Sequence, residues 1–456
     1  MQAKHLNFSH PSFRGWIGVA RQDITPPVGI YARNWGAAQH DVAEGIHRPL
    51  EAAVMTIQEE PGAAPLVLAT VDLGWWQDLD DERHVRGGVL ENMNLDPGRL
   101  MLCASHTHAG PSLVRSHRDL PGGHLIGPYL DQLRDTLTQI TQRALDGATP
   151  AMATWNYGRC GLAQDRDLAD PNAQRFLCGY HPEGQPDDTI LVGCVTSEAG
   201  TPLATLVNYA CHPTTLAAEN RLISPDFVGS MREVVEARYP GPCLFLQGAS
   251  AELSPRECHH ASTEIADKNG RELGFAVLST LEGMLPAGKS LQFDGVVESG
   301  APLAIWKRCE RAVSKSIEVQ QLDVELELKE LPSLAQIETD LKSCQDRALA
   351  ERLLREQLIR RHLGDGLTSR QPVWIWRVGE AILVGQPNEA YSIFQQQLRT
   401  SCPDQAVAVI GQVNGSCGYL PPAEFYDQDM YPVWQTPFAR GSLERITAAC
   451  QASITK

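Results

Sequence analysis

The 456-residue sequence has no long apolar run and no paired cysteine motif, and we expect no secretory leader. No apolar stretch approaches the ~20 residues that a membrane-spanning helix needs. The first residues, from Met1 onwards, run into polar positions and contain no apolar core of a secretory signal. We therefore expect no transmembrane segment and a cytoplasmic location, and nothing in the sequence indicates the oligomeric state.

The cysteines are scattered, and basic residues are outnumbered by acidic ones. Twelve cysteines occur without a CxxC pair, and several, such as Cys243, lie in apolar strand-like runs. Such cysteines usually act as small core residues, and reduced thiols are expected in a large chain without a leader. The 39 basic and 55 acidic residues give a net charge of -16, which argues against binding to nucleic acid or anionic lipid surfaces. A neutral or cationic substrate stays possible.

Apolar strands alternate with helical patterns along most of the chain. Continuous apolar runs are typical of strands covered on both faces, and they occur at 64–72, 100–105, 190–195, 204–211, 243–246, 374–378 and 381–385. Helical patterns lie between them at 80–93, 128–145 and 227–239. This alternation predicts an α/β fold with a mixed β-sheet core flanked by helices, which we treat as a single domain over residues 1–456.

The pattern changes between about residues 316 and 370. Residues 320–328 alternate like a half-exposed strand, and Ser333 is a suitable N-cap for a charged amphipathic helix that extends to about His362. We expect this insertion, helical around 330–365, to be an exposed hairpin packed on the core. A partner-binding arm is the alternative.

Histidines follow two of the predicted strands. His106 and His108 come after the strand at 100–105, and two side chains two residues apart share a face if the backbone stays extended. His212 closes the strand at 204–211. The H-x-H spacing alone is a weak signal, and a lone histidine in such a position is more often a core residue. Because α/β sheets build sites at strand ends, the three together predict a metal site.

In ordered blocks over nearly its whole length, the chain resembles the catalytic domain of the neutral, non-lysosomal ceramidases, which are zinc amidases. The resemblance depends on the order of the blocks, since each is weak alone. The blocks are 23–29 (DITPPVG), 45–50 (GIHRPL), 105–111 (SHTHAGP), 212–214 (HPT), 224–226 (SPD), 247–255 (QG and ELSP), 387–389 (PNE) and 418–422 (GYLPP).

The resemblance implies a zinc ion and a ligand set of nitrogen and oxygen donors, with an open position for water or substrate. The implied ligands are His106, His212, Glu389 and Tyr419. Zinc would activate a water molecule for attack on an amide carbonyl.

The same resemblance implies catalytic residues beside the metal. His108 would be the general acid/base, while Arg166 and Tyr431 would stabilise charge on the carbonyl oxygen. Arg159 is the less favoured alternative to Arg166. Asp72 and Asp226 are expected either to orient imidazole N–H groups or to serve as ordinary turn and cap carboxylates.

The substrate-facing blocks depart from the family pattern. Pro225 and Asn388 stand where the family has glycines, and Pro421 and Pro422 where it has threonines. Glu252 replaces an aspartate, and Arg256 replaces an asparagine. We see no counterpart of the C-terminal immunoglobulin-like domain of full ceramidases. A small or lipid-like amide, smaller or more polar than ceramide, is therefore the expected substrate. A zinc-dependent esterase or lactonase, or a non-catalytic metal-binding or carbohydrate-binding relative, are the alternatives.

Aromatic residues near the predicted strand ends have two interpretations. Trp35, Trp75 and Trp76 either line a substrate mouth or pack in the core, and residues 426–434 are expected to close over the site. Ser254 lacks the G-x-S-x-G elbow of a serine nucleophile and is given at most a structural or substrate-binding role.

Overall fold

The computed structural model describes residues 6–455. The first five residues and Lys456, which belong to the predicted single domain, lie outside the described residues. Among residues 6–455, no helix has both the length and the apolar character needed to cross a membrane.

Strands and helices alternate along the chain and are numbered in chain order. The strands are β1 (Asn7–Ser9), β2 (Ser12–Asp23), β3 (Gly45–Ile46), β4 (Glu51–Gln58), β5 (Leu66–Val71), β6 (Leu100–Ala104), β7 (Thr149–Arg159), β8 (Ala163–Asp165), β9 (Asp167–Ala169), β10 (Phe176–Cys178), β11 (Thr189–Ser197), β12 (Pro202–Tyr209), β13 (Leu222–Ile223), β14 (Cys243–Gln247), β15 (Leu253–Pro255), β16 (Lys289–Glu298), β17 (Pro302–Glu310), β18 (Ile317–Glu327), β19 (Thr368–Val378), β20 (Ala381–Gly385), β21 (Glu389–Ala390), β22 (Ala406–Ile410) and β23 (Tyr419–Leu420). The helices are α1 (Leu79–Glu82), α2 (Gly88–Met93), α3 (Ile126–Asp146), α4 (Phe227–Arg238), α5 (Thr263–Glu282), α6 (Leu334–Ser343), α7 (Arg347–Leu363), α8 (Ile393–Ser401), α9 (Tyr431–Gln435) and α10 (Ser442–Ile454).

The largest sheet in the described part of the chain has eight strands in the order β14-β12-β11-β7-β2-β4-β5-β6. Its centre is antiparallel, while the outer pairs β5–β6 and β12–β14 are parallel. Parallel neighbours need a crossover, and helices fill both: α1 and α2 lie between β5 and β6, and α4 lies between β12 and β14. β6 and β12 are the strands that precede His106 and His212.

A second, four-stranded sheet has the order β18-β19-β20-β22 and packs face to face on the first. Alternating residues of each strand point to opposite faces, so Met55 of β4 joins Trp376 and Leu383 of the second sheet in a shared core, while Val54 points to the other side. Helix α3 covers the outer face of one half of the large sheet, and α4 and α5 cover the other half. Helices α8 and α10 cover the second sheet.

The predicted α/β class is therefore confirmed, with one difference. The mixed core consists of two stacked sheets with helices outside them, which makes four layers. Continuous apolar strands predict burial on both faces, but they do not tell whether the covering layer is a helix or a second sheet. The cysteine prediction holds for Cys243, whose side chain is fully buried in β14.

Two helical predictions have different outcomes. The helix expected at 128–145 is α3, and Gly147 follows it as predicted, with its N–H bonded to the Arg143 carbonyl. The helix expected at 80–93 is instead interrupted, because a π-helical stretch separates α1 from α2.

The predicted insertion is the strand β18 followed by the helical hairpin α6–α7. Ser333 caps α6 as expected, since its side chain accepts a hydrogen bond from the backbone N–H of Gln336. The position of α7 differs from the expectation of an exposed hairpin, because one face of this helix lines the cavity described below.

Candidate metal centre and active site

Both strand-end histidines are held by backbone carbonyls. The Nδ1 atom of His106 lies 3.0 Å from the carbonyl oxygen of Gly74, and the Nδ1 atom of His212 lies 2.6 Å from that of Ser250. A neutral imidazole that donates from Nδ1 leaves a lone pair on Nε2. Metal-binding histidines use this arrangement, because the carbonyl fixes both the tautomer and the ring orientation.

The chain does not stay extended between the two histidines of the H-x-H pair. β6 ends at Ala104, and His106 has a positive φ of 71°. His106 and His108 still meet, with ring centroids 5.0 Å apart. The proximity predicted from an extended strand is therefore achieved by a turn at the end of the strand.

Glu389 and Tyr419 come together through the second sheet. β20 and β22 run parallel, and the chain beyond each forms the short parallel pair β21–β23, in which Glu389 is the register partner of Tyr419. The Oε2 atom of Glu389 lies 3.0 Å from Nε2 of His212 and 3.4 Å from Nε2 of His106. Residues 283 positions apart in sequence, 106 and 389, thus meet where the two sheets face each other.

These donors fit a metal ion. Nε2 of His106 is buried and has no hydrogen-bond partner among the described residues, while the Glu389 carboxylate faces it. Two lone-pair nitrogens and a carboxylate with no proton donor between them repel one another unless a cation lies among them. Ligands about 2.0–2.2 Å from a tetrahedral zinc ion lie roughly 3.3–3.6 Å from one another, near the 3.0 and 3.4 Å observed between the histidine nitrogens and Glu389.

The electrostatics of the donors agree with this arrangement. Burial lowers the pKa of His212 to about 3, with a further contribution from the charge of Arg166, so this imidazole is neutral. Burial raises the pKa of Glu389, but His106 and His212 outweigh burial and hold it well below its ordinary value. Burial and then the charge of Glu389 raise the pKa of Tyr419 well above its ordinary value. A bound cation would act in the opposite direction on this phenol.

His108 lies beside the two strand-end histidines. Its ring centroid is 6.0 Å from that of His212, and the donor atoms of His106, His108 and His212 all lie within 4.8 Å of one another. The rings of Trp35 and Trp75 flank it, with centroids at 5.1 and 4.9 Å. Neither of its nitrogens has a hydrogen-bond partner within residues 6–455. His108 could therefore be either a third histidine ligand or a proton carrier beside the metal.

Arg166 enters the site through a short strand pair. β8 pairs with β15 just before Arg166, which directs this buried side chain to the carbonyl of Ala251 (Nε to oxygen, 2.9 Å) and to the hydroxyl of Tyr419 (Nη2 to oxygen, 3.3 Å). Arg159 is exposed and pairs with Asp188, so the structure brings Arg166 and not Arg159 to the site.

Tyr431, the first residue of α9, packs edge-on against Tyr419 with ring centroids 5.5 Å apart. Burial raises the pKa of its phenol, which stays a hydrogen-bond donor. Trp434, from the same run, is 41% exposed and does not line the cavities described below, whereas Tyr431 does.

Asp72 and Asp226 have the structural role, not the orienting one. Asp72 forms a two-pronged ion pair with Arg232 at 2.9 and 3.0 Å, and Asp226 is the N-cap of α4. Neither is needed at the imidazoles, because backbone carbonyls already occupy both Nδ1 positions.

Ser254 is buried in β15 with its hydroxyl near the Cys258 sulfur, which agrees with a structural role.

Two cavities with shared lining residues lie beside this group. An inner one of about 60 Å³ and an outer one of about 330 Å³ share His108, Tyr419, Tyr431, Gln435 and Arg355. Trp75 lines the inner cavity and Trp35 the outer one, as the mouth interpretation predicts. Trp76 borders the inner cavity but is 1% exposed and belongs to the core.

Sequence reasoning missed the contribution of the insertion. Helix α7 supplies residues to both cavities, among them Glu351, Arg352 and Arg355. A signal was present in the 3- and 4-residue spacing of these positions, which puts them on one helix face. It could not be distinguished from the charged pattern of a solvent-exposed helix.

Comparison with known proteins identifies the fold. No family model matches the chain, and no curated protein sequence matches it. Among solved structures, the neutral ceramidase from Pseudomonas aeruginosa aligns with a TM-score of 0.69 and 16% identity, covering 98% of this chain and 74% of that chain. A ceramidase complexed with C2 aligns with a TM-score of 0.67 and 16% identity, with the same coverage. The chain therefore has the neutral ceramidase fold, as the resemblance of its sequence blocks predicted.

Proposed function

We propose that the chain is a zinc-dependent hydrolase that cleaves an N-acyl amide bond. The observation that carries the proposal is the buried meeting of two carbonyl-oriented histidines with the Glu389 carboxylate. His106, His212, Glu389 and Tyr419 are the proposed ligands. The same fold in two ceramidase structures supports amide cleavage as the reaction. When bound, zinc would supply Lewis acidity and lower the pKa of a coordinated water from 15.7 to about 7.

The proposed work of the side chains follows the course of amide hydrolysis. Water adds to the carbonyl carbon, and negative charge develops on the carbonyl oxygen. The Arg166 guanidinium and the Tyr431 hydroxyl, both beside Tyr419, are suited to donate hydrogen bonds to that oxygen. Arg166 is buried and Tyr431 is partly buried, which strengthens their effect because little bulk water screens them.

Breaking the C–N bond requires a proton on the leaving nitrogen, since an amide anion is a very poor leaving group. His108 is the proposed donor, because its nitrogens lack protein partners and it borders both cavities. Burial, and then the neighbouring His106 and His212, lower its pKa well below the ordinary value. In this account His108 is neutral at rest, takes a proton from the attacking water and passes it to the amine.

The proposed substrate is a small or lipid-like amide that is more polar than ceramide. The cavity is modest in volume, and the wall contributed by α7 is charged rather than apolar. A long hydrocarbon chain would have to pass these charges.

The test uses the purified full-length chain loaded with zinc and a panel of N-acyl amides of short to medium acyl length, each paired with the matching ester. We expect hydrolysis that a chelator abolishes and added zinc restores, with the amides cleaved. Hydrolysis confined to the esters would replace the amidase with an esterase. Full activity in metal-free protein would exclude a metal mechanism.

A further inference from the structure

One face of α7 forms a wall of the cavities. The residues that line them recur every three or four positions, as neighbours on a helix face do. They are Ala348, Glu351, Arg352, Arg355 and Ile359. The helix is therefore part of the site and is not an arm directed away from the protein.

Arg355 is the residue of this face that reaches both cavities, and it is held from three sides. Its Nε donates to Oε1 of Glu351 at 3.1 Å, and its Nη2 donates to the backbone carbonyl of Asn34 at 2.8 Å. Its guanidinium also lies over the ring of Trp75, 5.1 Å from the centroid. Its Nη1 has no acceptor within the described chain. The side chain is thus fixed in position with hydrogen-bonding capacity remaining.

The outer cavity is positively charged in a protein that is acidic as a whole. Arg166, Arg352 and Arg355 line it, and Glu351 is its single carboxylate among the described residues. Arg352 lies over the ring of Trp434 at 5.0 Å and has no ion pair in residues 6–455. Guanidinium groups that lack a full set of protein acceptors inside a cavity favour an anionic ligand.

The position of Arg355 indicates which part of a substrate would carry the charge. The indole of Trp75 contacts both groups: the His108 ring, with centroids 4.9 Å apart, and the Arg355 guanidinium, 5.1 Å from the indole centroid. His108 is the proposed proton donor to the leaving nitrogen. Arg355 therefore lies on the side of the site where the amine product would form.

Building on the proposed amide hydrolysis, we propose that the substrates are N-acyl amino acids, with Arg355 binding the carboxylate of the leaving amino acid and Arg352 assisting at the rim. The reaction adds water across the C–N bond and releases a carboxylic acid and a free amino acid. Arg355 is a specificity-determining residue in this account and takes no part in proton transfer.

The experiment compares two probes of equal shape, N-hexanoylglycine and N-hexanoylglycinamide, with the zinc-loaded full-length chain. We expect kcat/KM to favour N-hexanoylglycine by about tenfold or more, the size of one charge-assisted hydrogen bond. Equal rates, or preference for the neutral glycinamide, would overturn the inference and leave the proposed amidase intact. If neither probe is hydrolysed, the rest of the N-acyl amide panel decides the proposed function, which fails if no amide in it is cleaved. Calorimetric binding of the two probes then still tests charge recognition: tighter binding of the glycine probe supports it, and equal binding overturns it.

Substitutions on α7 test which residue distinguishes N-hexanoylglycine from N-hexanoylglycinamide. Arg355→Gln should lower the ratio of the two kcat/KM values at least tenfold, mainly through KM for N-hexanoylglycine, and Arg355→Lys should retain part of it. Arg361→Gln is the matched control, since Arg361 lies on the same helix, is exposed and borders neither cavity. A wild-type ratio in Arg355→Gln would overturn the inference.

A complication is that Arg355→Gln leaves the buried Glu351 carboxylate without its partner, which can unfold the helix. The double variant Glu351→Gln/Arg355→Gln removes both charges and avoids this cost. Circular dichroism and the thermal midpoint first establish that the double variant is folded. Its kcat/KM values for the two probes should then be nearly equal. Retention of the wild-type preference in this variant would contradict the assignment even if the single variant fails to fold.

Discussion

The two sides of the site are built by different means. The metal-binding side comes from strand ends of two stacked sheets, where each histidine is fixed by a backbone carbonyl and Glu389 is fixed by strand register. The opposite side comes from α7, a charged helix whose buried residues are Glu351 and Leu358. Core packing determines the first side, whereas a few polar contacts position the second. We therefore expect changes on the sheet side to abolish chemistry and changes on the helix side to alter substrate choice.

The largest effect is expected from His106→Ala and His212→Ala. Each removes a proposed ligand, so zinc binding and turnover should both be lost. Because a ligand at a hundred times its Kd stabilises a fold by about 2.7 kcal/mol, zinc should raise the thermal midpoint of the wild type and not that of either variant. Metal analysis and thermal scans measure both effects. Full zinc content in both variants would contradict the ligand assignment.

The next effect separates the two roles open to His108. His108→Gln should keep zinc and lower kcat by about 10²–10⁴-fold, the usual contribution of a general acid or base. Metal content and steady-state kinetics are measured on the same preparation. Loss of zinc would instead identify His108 as a third histidine ligand. The set of at most four protein ligands would then differ from the one proposed here.

A somewhat smaller effect is expected at Tyr431, which connects the two sides. Tyr431→Phe keeps the ring contact with Tyr419 and removes the hydroxyl, so kcat should fall by about a hundredfold or more with metal affinity unchanged. Tyr426→Phe is a matched control, because its hydroxyl bonds the carbonyls of Phe438 and Ala439 away from the cavities. Equal losses in the two variants would indicate a structural effect.

The smallest effect is expected from removing the N-cap of α7, the helix that forms one side of the site. Asp346 caps α7 by accepting a hydrogen bond from the Leu349 N–H at 2.8 Å, and Asp346→Ala should cost about 1 kcal/mol of helix stability. KM should rise a few fold while zinc affinity stays the same. Ser333→Ala removes the equivalent cap of α6 and should leave KM unchanged. A drop in zinc affinity in Asp346→Ala would mean that the two sides are not independent.

The same contrast explains what sequence could predict. Strand ends such as those before His106 and His212 are local features, and apolar runs reveal them directly. The contact of these histidines with Glu389 depends on how β20 and β22 stack on the first sheet, which no local pattern encodes; the family resemblance supplied it. The face of α7 was missed because the Glu351–Arg355 spacing is equally typical of a solvent-exposed helix.

The aspartates illustrate a second limit. From the sequence, Asp72 and Asp226 could be assigned equally well to orienting an imidazole N–H group or to an ordinary turn or cap. Their carboxylates are used by Arg232 and by the start of α4 instead. Backbone carbonyls, which have no sequence signature, take the orienting role.

The positive φ of His106 has a consequence for the balance between stability and activity. A non-glycine residue in the left-handed region costs about 1–3 kcal/mol, and glycine would adopt the same backbone conformation without that cost. His106→Gly should therefore unfold at a higher temperature than His106→Ala, while both lack the imidazole. The folded state gives up part of its stability to keep a nitrogen donor at the end of β6.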